Sequence, residues 1–296
     1  NPNDYGGIHI DITKGTHIEY NGNGYALTLD TGWDPSSQAS NGNFVTITGG
    51  TWVATGSDPQ GAIQLKDCYR TVLEPHHMIG WRNSNVDAAC ISVENHASYS
   101  EDTKIRDVRL DGDIGIDFKE PRITGGSGTH SFVNTHVENC TFNCDGPGLN
   151  MRGAFNNSVF INNEWFVRND GQSLVYLEGY ADNATFICPR FDNISGYSDV
   201  TAFHFGPSYD TDTGPMVLQP VFNEISNDRI DDSGNYVRTP LIYGNNGTRI
   251  GLVGWESYFE IQDSQFKWIL NDRQVANLDG SGNLNLRGSL IENSSL

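Results

Sequence analysis

Acidic side chains that could perform acid and base chemistry are concentrated between residues 111 and 145. The stretch LDGDIGID supplies Asp111, Asp113 and Asp117, and Glu138 and Asp145 follow in the next repeat unit. Two carboxyl groups roughly 5 to 10 Å apart across a groove can hydrolyse a glycosidic bond. These five residues are therefore the candidate catalytic residues. Asp-Gly stretches also form turns, and acidic clusters also solvate a surface, so a structural role is the alternative.

Aromatic and acidic side chains near strand ends and in insertions are the candidates for binding a ligand. Exposed aromatic rings can stack on sugar rings, and the candidates are Trp33, Trp81, Tyr209, Asp210 and Asp212. Three other tryptophans occupy equivalent positions in the sequence, namely Trp52, Trp165 and Trp255. A stacked core or corner ladder explains these three equally well.

The cysteine spacing indicates neither a metal site nor a disulfide framework. Of the five cysteines, Cys140 and Cys144 form the one close pair, and no second pair or histidine follows at zinc-finger spacing. The pattern favours buried thiols that pack as small hydrophobic groups. The D-x-D-x-D loop with a following Glu that binds Ca²⁺ is missing. We therefore expect no metal ion and no cofactor.

The charge balance and the lengths of the apolar runs exclude two classes of protein. The 37 acidic and 18 basic residues give a net charge of −19, which excludes a general nucleic-acid binder. No apolar run of about 18 residues occurs, so we expect no insertion into a membrane. Asp outnumbers Glu by 25 to 12, and Arg outnumbers Lys by 13 to 5. This composition resembles that of proteins from salt-loving microbes and their viruses, where concentrated salt screens self-repulsion.

Short strands with alternating apolar residues recur eight times. They are ALTLD (26–30), AIQLKD (62–67), CISVEN (90–95), IGIDFK (114–119), GLNMRG (148–153), LVYLEG (174–179), AFHFG (202–206) and LIYG (241–244). A second set of strands lies between them and ends with RIGLVGW (249–255), and no unit contains a good amphipathic helix. Such units of 25 to 38 residues predict a solenoid. We expect an all-β fold, a right-handed parallel β-helix of about eight coils.

The repeat also predicts which residues point inward, because stacked coils place equivalent residues one strand spacing apart. The first inward residues are Leu27, Ile63, Ile91, Ile116, Leu149, Val175, Phe203 and Leu241. The second inward residues are Leu29, Leu65, Val93, Phe118, Met151, Leu177, Phe205 and Tyr243. The second outward row is Asp30, Lys66, Glu94, Lys119, Arg152 and Glu178, in which most neighbours have opposite charge. In the fourth coil, Ile114 and Ile116 are the alternative inward pair.

The segment 266–296 differs from the repeats. LNDRQVANLD followed by GSGNLNLRGSL predicts a β-hairpin, because two alternating strands flank a glycine turn. A hairpin at the last coil covers an edge that would otherwise pair with other chains. We therefore expect a β-helix body over 1–265 and a hairpin cap or assembly segment over 266–296.

The C-terminal pattern D-x-x-G-N-L-x-L-x-G-x-L-x-E-N resembles the ends of β-helical segments in viral tail-fibre and spike proteins, closely over about twenty residues. The rest of the chain is similar to pectate-lyase-like and tailspike-like β-helices in its repeat architecture alone. Taken with the acidic composition, the resemblance implies a virus of a salt-loving archaeon. It also implies a trimer with the helices side by side.

Enzymes with parallel β-helices have local motifs that this sequence matches only in part. The segments nearest to the polygalacturonase motifs are GTHS (128–131) and TRIG (248–251), and neither is a match. EPRITGG (120–126) keeps a Pro and an Arg of the pectate-lyase motif without its spacing. EPHH (74–77) differs from the D-P-H-D of alginate epimerases because His77 replaces the final acid.

These observations favour a non-enzymatic virion surface protein, which would be a spike, a tail fibre or a capsid-decorating protein. We expect it to be extracellular, to form a homotrimer that contacts other virion proteins, and to recognise a host surface glycan or glycoprotein. The contact loops would be 31–43, 120–130, 207–215 and 226–238. The alternatives are a secreted polysaccharide lyase or glycoside hydrolase of the β-helix type, and a surface adhesin of the organism itself.

Deleting residues 266–296 tests the assembly role of the tail. We expect the full chain to have the mass of a trimer at molar salt and the shortened chain to lose that mass, because the tail supplies assembly contacts. Size exclusion coupled to light scattering measures both masses. A shortened chain that remains a trimer contradicts this role.

Overall fold

Every regular element in the described part of the chain is a β-strand. The computed structural model describes residues 7–30, 44–95, 100–119, 132–178, 184–205, 216–218, 220–223, 225, 230–231, 248–251, 257–262, 265–270, 273–278 and 284–286. Contacts between Cα atoms divide the chain into two compact units, 1–235 and 236–296. No helix long and apolar enough to cross a membrane occurs in the described residues.

The strands described in the first unit have two to six residues, except the first with 14 and the third with 11. They are β1 (Gly7–Tyr20), β2 (Tyr25–Asp30), β3 (Phe44–Ala54), β4 (Gly61–Lys66), β5 (Thr71–Glu74), β6 (His77–Trp81), β7 (Ala89–Glu94), β8 (Lys104–Arg106), β9 (Arg109–Gly112), β10 (Ile114–Lys119), β11 (His136–Glu138), β12 (Thr141–Cys144), β13 (Leu149–Arg152), β14 (Val159–Ile161), β15 (Glu164–Phe166), β16 (Ser173–Glu178), β17 (Thr185–Ile187), β18 (Arg190–Asp192), β19 (Thr201–Phe205), β20 (Met216–Leu218), β21 (Val221–Asn223) and β22 (Ile230–Asp231).

Two sheets form the first unit, and their strand pairs are parallel. The eight-stranded sheet has the order β2-β4-β7-β10-β13-β16-β19-β22. The 14-stranded sheet has two arms that share β3: the first arm runs from β5 to β20 and the second from β6 to β21. The chain visits the first arm, the second arm and the eight-stranded sheet in turn, and we call each such visit a coil. This arrangement is consistent with a β-solenoid.

The inward register predicted from the sequence is confirmed through the seventh strand of the eight-stranded sheet. The first inward residues pair in succession from Leu27 to Phe203. In the fourth coil, Ile116 pairs with Ile91 and Phe118 with Val93, so the alternative register is excluded. The outward pairs Asp30–Lys66, Lys66–Glu94, Glu94–Lys119 and Arg152–Glu178 also lie in register.

The last repeat differs from the prediction. Phe203 pairs with Ile230 of β22, whereas the sequence placed Leu241 at that position. Leu241 and Tyr243 lie outside the described residues. The segment 249–255, predicted to belong to the last repeat, begins instead within a strand that pairs antiparallel in the second unit.

A column of large side chains lies in the core along the second arm. Its members are Trp52, Met78, Leu110, Phe142, Trp165, Phe191 and Phe222, each in register with the next. The ring centroids of Phe142 and Trp165 are 5.0 Å apart, and those of Trp165 and Phe191 are 4.8 Å apart. These distances are close to the strand spacing because parallel pairing stacks like on like. Trp52 and Trp165 are thus core residues, while Trp255 lies outside the described residues.

Two-residue turns join the first arm to the second in four consecutive coils, and the first turn residue has a left-handed backbone. Asp107, Asn139, Asn162 and Cys188 hold this position with φ of 58°, 53°, 53° and 49°. Asn and Asp adopt this conformation more readily than other residues with a Cβ. The Asn139 Nδ2 group also donates a 3.1 Å hydrogen bond to Asp107 Oδ1 in the preceding coil.

Strand β3 has a left-handed backbone at two consecutive glycines, Gly49 and Gly50, with φ of 75° and 76°. A Cβ at Gly49 would lie 2.0 Å from the carbonyl oxygen of Ile12 in β1. Only glycine therefore fits where β1 and β3 shift register, between Ile12 and His17.

The five cysteines are free thiols, and four of them are buried: Cys68, Cys90, Cys140 and Cys144. Burial raises the pKa of Cys68 and of Cys140 to about 12. Buried, protonated thiols pack as small hydrophobic groups, as the sequence predicts.

The second unit contains an antiparallel sheet. Its strands, β23 (Thr248–Gly251), β24 (Ser257–Gln262), β25 (Gln265–Leu270), β26 (Arg273–Leu278) and β27 (Leu284–Leu286), pair in chain order. The strands β26 and β27 form a hairpin with Leu278 opposite Leu284. The sequence predicted strands here and assigned the segment of β23 to the last repeat, but it predicted neither β24 nor β25. The domain boundary after residue 265 stays a prediction.

Replacing Asn162 tests the left-handed turn. We expect Asn162→Ala to lower the free energy of unfolding by about 1 kcal/mol, because a Cβ without a polar group disfavours this backbone. Asn162→Gly is the matched control and should change it by only a few tenths of a kcal/mol. Urea denaturation measures both. Equal losses in the two variants would contradict this account of the turn.

Candidate functional site

Three of the candidate catalytic residues lie together at the C-terminal ends of strands in the second arm. Asp111 lies in β9, Asp113 directly follows that strand, and Asp145 directly follows β12. The parallel ladder continues into these turns, since the Asp145 amide donates to the Gly112 carbonyl. Arg82 directly follows β6 and so occupies the same turn position one coil earlier. We call Arg82, Asp111, Asp113 and Asp145 the arginine–aspartate cluster.

Arg82 connects two carboxylates of this cluster. Its Nε donates a 2.7 Å hydrogen bond to Asp145 Oδ2, and its Nη1 donates a 2.5 Å hydrogen bond to Asp111 Oδ1. Burial alone would lower the pKa of the Arg82 guanidinium, but these bonds outweigh it and raise the pKa above its usual range. Arg168 approaches the other oxygen of Asp145 at 3.8 Å.

The pKa values of Asp111 and Asp113 are shifted in opposite directions. Burial tends to raise the pKa of Asp111, but hydrogen bonds from Arg82 and Asn143 outweigh it, so the pKa is lowered. Burial raises the pKa of Asp113, although the backbone N–H groups of Asn83 and Ala88 donate to its Oδ2 at 2.7 and 3.1 Å. Two neighbouring carboxyl groups with separated pKa values could serve as base and acid.

The contacts of the cluster also fit a structural clip. Both oxygens of Asp111 accept hydrogen bonds, from Arg82 and from the Asn143 Nδ2 group at 2.6 Å. Arg82, Asp111 and Asp145 lie on three successive coils, so the ion pairs join those coils. Among the described residues, no group of three or more His, Cys, Asp or Glu side chains could hold a metal ion.

Asp117 lies apart from this cluster, on the outward side of the eight-stranded sheet, which we call the outer face. It is nevertheless only 3% exposed. Its Oδ2 lies 2.9 Å from the Lys119 Nζ, and its Oδ1 accepts a 2.9 Å hydrogen bond from Asn150 Nδ2. Burial raises the pKa of Asp117, and the Lys119 charge opposes this rise.

The outer face becomes more accessible towards β16 and β19. Tyr176 and His204 are neighbours in its first outward row, and their rings stack at 4.8 Å with an interplanar angle of 7°. We call these two residues the ring pair. In the second outward row, Arg152 Nε lies 3.9 Å from Glu178 Oε2, and both side chains are about half exposed, at 53% and 51%.

The other predicted residues lie elsewhere or outside the described part of the chain. Glu138 is on β11 in the first arm, in register with Arg106. Trp81 is completely buried, and its Nε1 donates a 3.2 Å hydrogen bond to the Trp52 carbonyl, so its ring offers no surface to a sugar. Four binding candidates lie outside the described residues: Trp33, Tyr209, Asp210 and Asp212. The predicted contact loops lie there too, apart from β22.

Sequence reasoning missed the role of Arg82 and the pairing of Tyr176 with His204. Aligning the turns after β6, β9 and β12 would place Arg82, Asp113 and Asp145 in one column. The outward position of His204 was visible in AFHFG, and the repeat register then identifies Tyr176 as its neighbour.

Two amide substitutions test the balance within the arginine–aspartate cluster. At pH 7 we expect Asp111→Asn to lower the free energy of unfolding by about 2 kcal/mol, because it removes charge-assisted hydrogen bonds. Asp113→Asn is the matched control and should cost less, because an amide oxygen still accepts from Asn83 and Ala88. Denaturant titration measures both. An equal or larger loss in Asp113→Asn would reverse the assignment.

The pH dependence gives an independent check on Asp111. Its pKa is lower in the folded state than its ordinary value of 3.8, so its ionised form stabilises the fold. That contribution is complete above the unfolded pKa and is lost as the pH falls through the folded pKa. The stability difference between wild type and Asp111→Asn should therefore shrink as the pH falls below the ordinary pKa of 3.8. A difference that stays constant below that value contradicts the shift.

Comparison with known proteins adds no family assignment. No family model matches the chain, and no curated protein or solved structure matches it. The functional argument therefore depends on the geometry of the site.

Proposed function

We propose that this chain is a non-enzymatic surface protein that recognises a glycan on a host cell through its outer face. The fold would be a right-handed parallel β-helix with a C-terminal hairpin cap. Right-handed connection is the general rule for parallel strands of one sheet. The proposal includes an extracellular position on a virion, as a spike, tail fibre or capsid-decorating protein. It also includes assembly as a homotrimer that contacts other virion proteins. This part rests on the resemblance of the C-terminal segment.

Regular internal bonding supports the role of a stiff carrier. The aromatic column and the left-handed turns repeat in consecutive coils, so each coil packs against the next in the same way. Contacts of this kind stiffen a solenoid along its axis. A protein that presents a receptor-binding surface at a distance needs this stiffness more than it needs a catalytic cleft.

The observation that carries the glycan assignment is the ring pair. Tyr176 and His204 stack in the first outward row of the outer face, while the large aromatic rings of the second arm point into the core. A flat, partly exposed aromatic surface fits the apolar face of a sugar ring. Arg152 and Glu178 lie beside it and can bond to sugar hydroxyl groups. A host glycoprotein would be recognised through the same sugar chemistry.

A polysaccharide lyase or glycoside hydrolase is the second candidate, and the separated pKa values of Asp111 and Asp113 favour it. The hydrogen bonds of the cluster oppose it, because Arg82 and Asn143 already occupy the Asp111 carboxylate. A water nucleophile activated by Asp111 would share an oxygen with Arg82 or Asn143, and the Arg82 charge makes the carboxylate a weaker base.

Replacing Tyr176 tests glycan binding. We expect Tyr176→Ala to weaken binding to an array of oligosaccharides by roughly tenfold, because it removes the ring face. Phe44→Ala, which removes an exposed ring from β3, is the control and should bind as wild type does. Calorimetry on the best ligand gives the affinities. Equal binding by Tyr176→Ala and wild type rules out the ring pair as the binding surface.

Product formation separates the two candidate functions. We expect no reducing sugar and no absorbance from unsaturated uronate when the chain is incubated with host exopolysaccharide. Release of either product by wild type, and its loss in Asp113→Asn, would establish the enzyme. Antibodies that bind this chain should block adsorption of the particle to its host. If particles that carry the chain adsorb equally well with and without the antibodies, the receptor role is contradicted.

A further inference from the structure

The second outward row of the outer face contains one step between like charges. In the described residues this row reads Asp30, Lys66, Glu94, Lys119, Arg152 and Glu178. The signs alternate except between Lys119 and Arg152, which directly follow Phe118 and Met151, the last paired residues of β10 and β13. Like charges on neighbouring strands destabilise a sheet unless an anion lies between or above them. Asp117 lies near both cations, whose charges act to lower its pKa, and a ligand anion beside Arg152 would offset the repulsion that remains.

Lys119 is already held by the protein. Its Nζ lies 2.9 Å from Asp117 Oδ2, which is buried against the sheet. Burial would lower the pKa of Lys119, but the Asp117 charge outweighs it and raises the pKa, so the ammonium stays charged. Lys119 thus contributes a fixed positive charge close to the surface.

Arg152 is the cation that a ligand can reach. Its side chain is 53% exposed, and in the described part of the chain its one ion pair is the 3.9 Å approach of Nε to Glu178. At 3.9 Å this approach is longer than a hydrogen bond, so it does not hold the guanidinium tightly. A guanidinium binds a carboxylate or sulfate through two parallel hydrogen bonds, which an ammonium cannot do.

The position of Arg152 relative to the ring pair specifies the ligand. Arg152 is in register with Glu178, which lies two residues after Tyr176 on the same face of β16. Diagonal neighbours of this kind are roughly 7 to 8 Å apart, a distance that one sugar residue can bridge. We propose that the glycan is acidic and that its carboxylate or sulfate group binds Arg152 while its ring stacks on Tyr176.

This inference rests on the proposed glycan-binding function and adds the chemical class of the ligand. The chain has a net charge of −19 and only 18 basic residues, so polyanions are repelled by most of its surface. Binding of an acidic glycan therefore requires a local site. Molar salt screens the long-range repulsion, since the Debye length falls to about 3 Å, while the short contact with Arg152 survives. We expect binding to persist at high salt.

Three polymers with one backbone test the charge requirement: dextran, carboxymethyl dextran and dextran sulfate, each measured by calorimetry at 0.15 M and 1 M NaCl. We expect one of the two acidic polymers to bind and dextran to bind at least tenfold more weakly. Which acidic polymer binds distinguishes a carboxylate from a sulfate. Arg152→Gln should weaken that binding by about 10- to 100-fold, and Arg152→Lys should fall between Gln and wild type. Arg109→Gln removes a positive charge from the second arm and should have no effect.

The outcomes separate this inference from the function on which it rests. Equal binding to all three polymers, with loss in Tyr176→Ala but not in Arg152→Gln, overturns the acidic ligand and leaves glycan binding intact. Absence of binding both to these polymers and to the oligosaccharide array overturns both. Unchanged thermal unfolding of Arg152→Gln excludes misfolding as the cause of lost binding. If Arg109→Gln weakens binding as much as Arg152→Gln does, general charge is responsible and the site is wrong.

Discussion

Parallel pairing between successive coils is the constraint on which the rest of this structure depends. It places each residue directly over its equivalent, so a favourable neighbour in one coil is repeated in the next. Hydrophobic residues then form continuous columns, and Phe142, Trp165 and Phe191 stack ring on ring. The same constraint aligns outward side chains of successive coils in rows along the axis. Charges, amides and rings become rows, and a ligand that spans several coils meets a row and not a single pocket.

Much of this framework could be predicted from the sequence because the alternation of inward and outward residues is local. Each segment identifies its own inward residues by alternation, as it does for Ile63, Ile91 and Ile116. The choice of partner strand is not local. LIYG (241–244) has the same pattern as the other segments, yet the strand paired with β19 is the two-residue β22. A pattern over four residues contains no information about which edge is nearby, so the last coil was misplaced.

The candidate site was predicted in part for the same reason. The acidic residues around Asp111 are conspicuous in the sequence, and three of them do lie together. Arg82 is separated from Asp111 along the chain, and its bonds become apparent only when the turn lengths are aligned. Trp81 shows the opposite failure: a tryptophan near a strand end was a candidate for the surface, but it fills the core. Burial of a large ring depends on the coils on either side, which one segment cannot reveal.

The shared strand β3 divides the first unit into two kinds of coil. Strand β3 is continuous across both arms and pairs with β1. Gly49 and Gly50 of β3 are required where it contacts β1. After β3, each coil splits into two short strands, and in four consecutive coils a left-handed turn joins them. Inserting or deleting a whole later coil would preserve the parallel pairing of its neighbours, because each later coil contributes one strand to each arm and one to the eight-stranded sheet. Evolution could therefore change the length of this protein by duplicating a gene segment for one later coil, whereas a copied β3 would have to repeat the close approach of Gly49 to β1.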